Sequence, residues 1–241
     1  MTVQRTSLWK SIADALTTEV GAGHFAPGTK LPSEADLAHR FGVNRHTVRQ
    51  ALGHMAAQGL VHARRGAGVF VMARPTDYPL GQRVRFQRNI AAAGKVPGRE
   101  ILQVVTRVAD TTEAAALALQ PGAMVHACEG LSLADGQPIA LFRSVFPAQL
   151  LPNLPDDLRN SGSVTAALAR HGIADYLRHS TRITAQLASA TQAALLHLTE
   201  GDPLLQSIAV NVGPDGTPVE YGTTWFAGDR VALTLSAENI G

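Results

Sequence analysis

The strongest constraint in the chain lies in its first 75 residues. Three short helical patterns are followed by a strand–turn–strand with a basic tip. Leu8, Ile12, Ala15, Leu16 and Val20 recur at helical spacing, and the run ends at Gly21–Gly23. After a turn-rich connector from Phe25 to Pro32, Ser33 with Asp36 makes a capping box for a second helix. That helix carries Leu37, Ala38 and Phe41 on its apolar side and stops at Gly42. Asn44 is a good N-cap for a third helix with apolar positions Val48, Ala51, Leu52 and Met55. Two short helices split by Gly42-Val43-Asn44 form a helix-turn-helix pattern. Leu60–Val71 then reads as a hairpin, with Arg64 and Arg65 at its tip and Gly66 and Gly68 in its turn. This order predicts a winged helix.

Polar side chains point to what such a domain does. Arg45, His46, Thr47, Arg49 and Gln50 crowd the first turns of the third helix, away from its apolar face. In a helix-turn-helix that end meets base edges in the major groove of double-stranded DNA. An arginine bonded to guanine through two donors gives roughly 1–3 kcal/mol of discrimination. Ser33 and Thr47 hydroxyls suit phosphates, and a basic hairpin tip can reach a phosphate or the minor groove. Charge agrees with this reading. Residues 1–75 carry a net charge of +5, while residues 76–241 carry −3. The negative balance of the larger part argues against assuming an anionic ligand there.

At 241 residues the chain is comfortable for two cores. Charged residues are 17% and hydrophobic residues 45%, which excludes a disordered chain. No apolar run approaches the roughly 18 residues of a membrane span, and the N-terminus shows no secretory pattern. The single Cys128 excludes an internal disulfide and a multi-cysteine metal site, so a cytoplasmic setting is expected. His126 and His197 lack metal-ligand spacing. No catalytic motif or cofactor motif is found, so neither an enzyme activity, a metal nor a cofactor is expected.

The boundary is expected at a proline-rich stretch, giving domains at 1–73 and 83–241 with a linker at 74–82. Beyond it a short helix is expected at 84–93, then strands. Asp135-Gly136 and Pro214–Thr217 read as turns of two hairpins, 125–146 and 204–226. Further strands are expected at 101–109, 181–188 and 231–237, and helices at 112–119, 161–170 and 190–198. The fold class is therefore α+β in two domains, the second an antiparallel sheet with helices.

The N-terminal residues carry a resemblance. Leu31-Pro-Ser-Glu34, Asn44-Arg-His-Thr-Val-Arg49, Gln58-Gly-Leu60 and Arg64-Arg-Gly-Ala-Gly-Val-Phe-Val71 resemble the DNA-binding domain of the GntR family of bacterial transcription regulators. The resemblance implies DNA contacts from Arg45, Thr47 and Arg49, helped by Ser33, Glu34, Asn44 and His46, with Arg64, Arg65 and Gly66 at the wing. The second part is similar to the UTRA effector domain of the HutC subfamily, through Ala134-Asp-Gly-Gln-Pro-Ile139, Gly201-Asp-Pro-Leu-Leu205, Pro218-Val-Glu220 and Gly228-Asp-Arg230. That implies a chorismate-lyase-like fold, a small-molecule effector and a homodimer on a palindromic operator. Arg74–Leu80, Arg85-Phe86, Asn89 and Thr181–Ala185 resemble the PhnF branch, regulators of phosphonate uptake and carbon–phosphorus lyase genes. A repressor with a phosphonate or phosphate effector is therefore expected. Regulation of another pathway and a chorismate-lyase-like enzyme are the alternatives.

Candidate effector residues follow from strand alternation and from the resemblance. Glu220, Gly222, Thr224 and Phe226 share one strand face. Sugar-phosphate-sensing relatives place a Glu and a Tyr at the positions of Glu220 and Phe226. Their two pocket arginines match Gly130 and Ser132, and a further Glu matches Phe142, so a sugar-phosphate pocket is not expected. Arg85 and Gln87 start the first helix, where related domains contact ligand. Ser161 and Ser163 are expected to open another helix, whose N-terminus attracts anions. Arg182 shares a strand face with Thr184 and Gln186.

Overall fold

A computed structural model describes residues 7–63, 66–72, 75–83 and 85–236, together with the backbone alone of Arg64. The chain divides into two compact units, Met1–Arg74 and Pro75–Gly241. In the first, α1 (Leu8–Gly21), α2 (Glu34–Phe41) and α3 (Arg45–Ala57) precede a hairpin of β1 (Val61–Arg64) and β2 (Gly68–Val71). The expected caps form. Ser33 and Asp36 make a reciprocal capping box, and the Asn44 side chain accepts from Thr47 N at 2.8 Å. Each such cap is worth about 1 kcal/mol. Ile12, Leu16, Leu37, Val48, Leu52 and Met55 bury one helical face each into a common core, closed by Val61 and Val71 of the hairpin. A bidentate ion pair from Arg40 to Glu19 ties α2 to α1.

The second unit is built on one six-stranded sheet. Its strands are β4 (Pro97–Val108), β5 (Met124–Ala134), β6 (Gln137–Pro147), β7 (Leu177–Leu187), β8 (Pro203–Val212) and β9 (Pro218–Ala227). The order is β4-β5-β6-β9-β8-β7, and every neighbouring pair is antiparallel. Asp135 and Gly136 both take positive φ in the β5–β6 turn, as a two-residue hairpin demands. The helices are α4 (Phe86–Ala92), α5 (Thr111–Ala116), α6 (Leu154–Ser161), α7 (Val164–Arg170) and α8 (Ala190–Leu196). Leu154 and Leu158 of α6 and Ala167 and Leu168 of α7 pack with Phe142 and Phe146 of β6.

Three expectations are corrected. The segment 74–82 is not a free linker along its length. Thr76–Pro79 forms β3, which pairs in parallel with β10 (Val231–Thr234), and Thr76 and Tyr78 are buried. Two prolines look locally like a linker, but their partner strand lies at the other end of the unit. The strand expected at 231–237 joins β3 and not the main sheet. The helix expected at 161–170 is two helices. Gly162 takes the left-handed conformation (φ 59°) that ends α6, and Ser163 caps α7 through Ala166 N. Ser161 therefore closes a helix, and its hydroxyl donates to Asp157 O at 2.7 Å.

Tyr78 packs at a ring-centroid distance of 5.1 Å from Phe226. Tyr78→Ala is expected to destabilise the second unit by about 3–5 kcal/mol, as for a large core truncation. Urea unfolding followed by circular dichroism checks this. A loss under about 0.5 kcal/mol, normal for a surface linker residue, contradicts the placement of β3.

Candidate functional site

Two surfaces carry the chemistry. In the first unit, Arg45 and His46 stand exposed at the start of α3. Arg49, 69% exposed, is held by Glu34: its Nε donates to Oε1 at 3.0 Å and Nη2 to Oε2 at 2.6 Å. The guanidinium in turn holds the Glu34 carboxyl below the usual carboxylate range. Asn44 and Thr47 are engaged with each other, since Thr47 Oγ1 donates to Asn44 Oδ1 at 2.9 Å. The Ser33 hydroxyl donates to Asp36 at 2.6 Å. These three side chains shape the helix ends, while Arg45, His46, Arg49 and Gln50 stand exposed on α3, Arg49 with two of its donors engaged by Glu34. Gly66 has φ 76° in the hairpin turn. Arg65 and the Arg64 side chain lie outside the described residues.

In the second unit a cavity of about 390 Å³ opens between the sheet, the start of α4 and the α6–α7 junction. Of the candidate effector residues, Arg85, Gln87, Phe142, Ser163 and Glu220 line it. Ser132 and Phe226 line a smaller recess of about 50 Å³ that shares Arg99, Phe142 and Thr224 with the main cavity. Gly130, Ser161 and Arg182 do not line either space. At Gly130 an added Cβ would collide with the Glu100 carbonyl oxygen of the neighbouring strand and meet the Phe142 ring at 2.7 Å, so backbone and ring together fill the space a side chain would take. Arg182 is turned away by an irregularity in β7 between Arg178 and Ser180. Arg178 pairs with Asn211 on the cavity side, while Arg182 pairs with Ile208, whose side chain alternates to the other face.

Several lining residues were not anticipated. Arg99 and Arg178 line both spaces, and Ser144, Asn211 and Tyr176 complete the floor and wall of the larger. The expected loss of cavity cations is therefore corrected. Positions 130 and 132 lack arginines, but Arg99 lies opposite Ser132 on the neighbouring strand and sits 4.3 Å over the Phe142 ring. The negative balance of residues 76–241 did not foretell this local excess of positive charge. Arg85 lies 3.7 Å over the Tyr176 ring, and its Nη2 donates to Asp175 Oδ1 and Tyr176 O, both at 3.2 Å. Its Nη1 is buried with no hydrogen-bond partner. Arg178 Nε donates to Asn211 Oδ1 at 3.0 Å. Glu220 accepts from Ser144 Oγ at 2.6 Å and from Asn211 Nδ2 at 2.7 Å. The floor is thus an ordered chain, Arg178–Asn211–Glu220–Ser144, crossing four strands.

A winged helix in one unit and a cation-lined cavity in the other define a DNA-binding regulator with a ligand-binding module. Residues 8–71 match the bacterial regulatory proteins of the gntR family, and residues 92–232 match the UTRA domain. An uncharacterised HTH-type transcriptional regulator of Rhizobium meliloti (strain 1021) is 36% identical over 95% of this chain and 94% of its own. The probable transcriptional regulator PhnF of Escherichia coli (strain K12) is 33% identical over 94% of both chains. The crystal structure of PhnF from Mycobacterium smegmatis superposes with a TM-score of 0.65 at 28% identity, covering 93% of this chain and 98% of that one. The chain belongs to the GntR family, with a UTRA effector domain of the HutC type, and is a transcriptional regulator rather than an enzyme. Among the described residues no helix is long and apolar enough to cross a membrane, and no cluster of three metal-ligating side chains occurs.

Cys128 is fully buried, and burial pushes its thiol up to about 11. A thiol of that kind is a packing group, not a sensor. It is expected to resist a thiol reagent at pH 7.5 in the native protein and to react fully in urea. Rapid native labelling contradicts this.

Proposed function

We propose that this regulator represses genes of phosphonate uptake and use, and that a phosphonate bound in the cavity of the second unit sets its affinity for DNA. The observation that carries the effector reading is the convergence of Arg85, Arg99 and Arg178 on one cavity, with Arg85 Nη1 buried and unpartnered. A guanidinium matches an oxyanion with parallel donors. A buried donor without an acceptor costs about 1–3 kcal/mol, which an oxyanion relieves. Within phosphorus oxyanions, the resemblance to the PhnF branch favours phosphonates, and relatives at 33% and 30% identity bear the PhnF name. Two copies pair through the second unit and present two winged helices to the half-sites of a palindromic operator in the cytoplasm. Arg45 and Arg49 read bases, His46 adds a contact, and the wing residues Arg64, Arg65 and Gly66 meet the backbone or minor groove. The effector acts by preferring one of two states of different DNA affinity.

For DNA, the full chain is used to select duplexes from a randomised pool, and the selected site is titrated at fixed salt. Arg45→Ala is expected to weaken binding by about 10- to 100-fold, in line with the loss of one base-reading arginine, with dimerisation unchanged in sedimentation. Unaltered affinity for the selected site overturns the interface.

For the effector, thermal unfolding is followed with simple alkyl phosphonates. A ligand at 100 times its Kd adds about 2.7 kcal/mol of stability. Arg178→Ala is expected to remove the gain. Flat melts across phosphonates overturn the phosphonate reading.

A further inference from the structure

The cavity of the second unit holds two opposite charges that do not meet. Glu220 is 8% exposed and lines the cavity. Both its oxygens accept from neutral donors, Ser144 Oγ and Asn211 Nδ2. Among the described residues no Lys, Arg or His nitrogen comes within 4.0 Å of that carboxylate, although Arg85, Arg88, Arg99 and Arg178 line the same cavity. Arg99 and Arg178 likewise have no carboxylate within that distance among the described residues. What separates them is Asn211. Its amide oxygen takes Arg178 Nε, and its amide nitrogen gives to Glu220, so a flipped amide would satisfy neither. Glu220 is thus held by neutral donors alone, and Asn211 stands between it and the Arg178 guanidinium. A carboxylate has about four lone-pair sites, of which Ser144 and Asn211 use two. The remaining acceptor capacity belongs to the cavity.

We infer that the effector is dipolar: a phosphorus oxyanion facing Arg85, Arg99 and Arg178, and an ammonium group facing Glu220. This rests on the proposal that the cavity binds a phosphorus oxyanion, and it adds the second half of the ligand. Aminoalkyl phosphonates and aminoalkyl phosphate esters share this chemistry. At about 390 Å³ the cavity falls in the lower part of the ligand-pocket range, which suits a ligand of a few heavy atoms.

The test is calorimetric titration of the full chain with two matched pairs of probes. One pair is 2-aminoethylphosphonate and propylphosphonate, and the other is O-phosphoethanolamine and propyl phosphate. Within a pair the anion is the same and only the ammonium differs from a methyl group. In at least one pair the amino compound is expected to bind about tenfold or more tighter, as a charge-assisted hydrogen bond gives. Glu220→Gln is expected to bring that ratio within about twofold, with a cooperative thermal unfolding transition reporting that the variant is folded. If Glu220→Gln does not fold, Glu220→Asp, which withdraws the carboxylate by one methylene, is expected to reduce the ratio. Equal binding within both pairs overturns the dipolar ligand and leaves the phosphonate proposal standing. An amino preference seen only with the phosphate esters, with no phosphonate binding, supports the dipolar ligand and overturns the phosphonate proposal. A ratio that survives both substitutions, or no binding of any probe, overturns the inference.

Discussion

The second unit depends on the pairing of β6 with β9. The β5–β6 and β8–β9 hairpins each form between neighbours in the chain, so either half can be drawn from local turns. Only the β6–β9 ladder, from Ala140 opposite Phe226 to Val145 opposite Tyr221, joins them into one sheet. That ladder sets Ser144 opposite Gly222, with Glu220 two residues along on the same face. The Ser144–Glu220 bond then closes across the seam, and Asn211 of β8 and Arg178 of β7 extend the chain outward. A slip of one residue in this register would send Glu220 to the opposite face and leave the cavity without its carboxylate.

The cavity reaches a cationic character by an arrangement that position-by-position comparison does not reveal. The resemblance to sugar-phosphate-sensing domains implied two arginines on the strand that here carries Gly130 and Ser132. In this chain the Glu100 backbone and the Phe142 ring fill the space at Gly130, and Arg99 comes in from the adjoining strand to lie on that ring. A wall is made by neighbours in space, so a charge lost from one strand can be replaced from the next. The first unit shows a related economy. Glu34 spends its carboxylate on Arg49, and Asn44 caps the helix that carries both Arg45 and Arg49. On α3, Arg45 and His46 stand exposed beside a cap made by Asn44, while Arg49 is exposed but already paired with Glu34.

Legibility differed between the two units for a physical reason. The winged helix is made of caps, short amphipathic helices and a tight hairpin, all of which act over a few residues. Ser33, Gly42 and Asn44 mark helix ends in the sequence and in the structure, and Val48, Ala51, Leu52 and Met55 are buried as their spacing requires. The hairpins of the second unit were legible for the same reason. The cavity was legible in part: Arg85, Gln87, Phe142, Ser163 and Glu220 line it, while Arg99, Arg178 and Asn211 went unseen. Arg99 lies in β4 ahead of the expected strand start, because pairing with β5 extends the strand back to Pro97. Arg178 lies ahead of the expected start of β7. Asn211 lies within the expected strand on the face of Ser207 and Ala209, so period-two alternation is the signal that could have found it.

By itself the sequence determined the helices, caps and hairpin of the first unit, the two hairpins of the second, the division into a small basic unit and a larger sheet unit, and the family to which the chain belongs. These follow from spacing, turn chemistry and motif, which act locally. The tertiary structure alone decided that Thr76–Pro79 pairs with Val231–Thr234, that Arg178 and not Arg182 turns inward, and that Asn211 keeps Arg178 and Glu220 apart. Each of these depends on a partner distant in the chain or on a register irregularity that reverses alternation. Neither leaves a periodic trace, because the free energy that selects them comes from contacts made only once the strands have met.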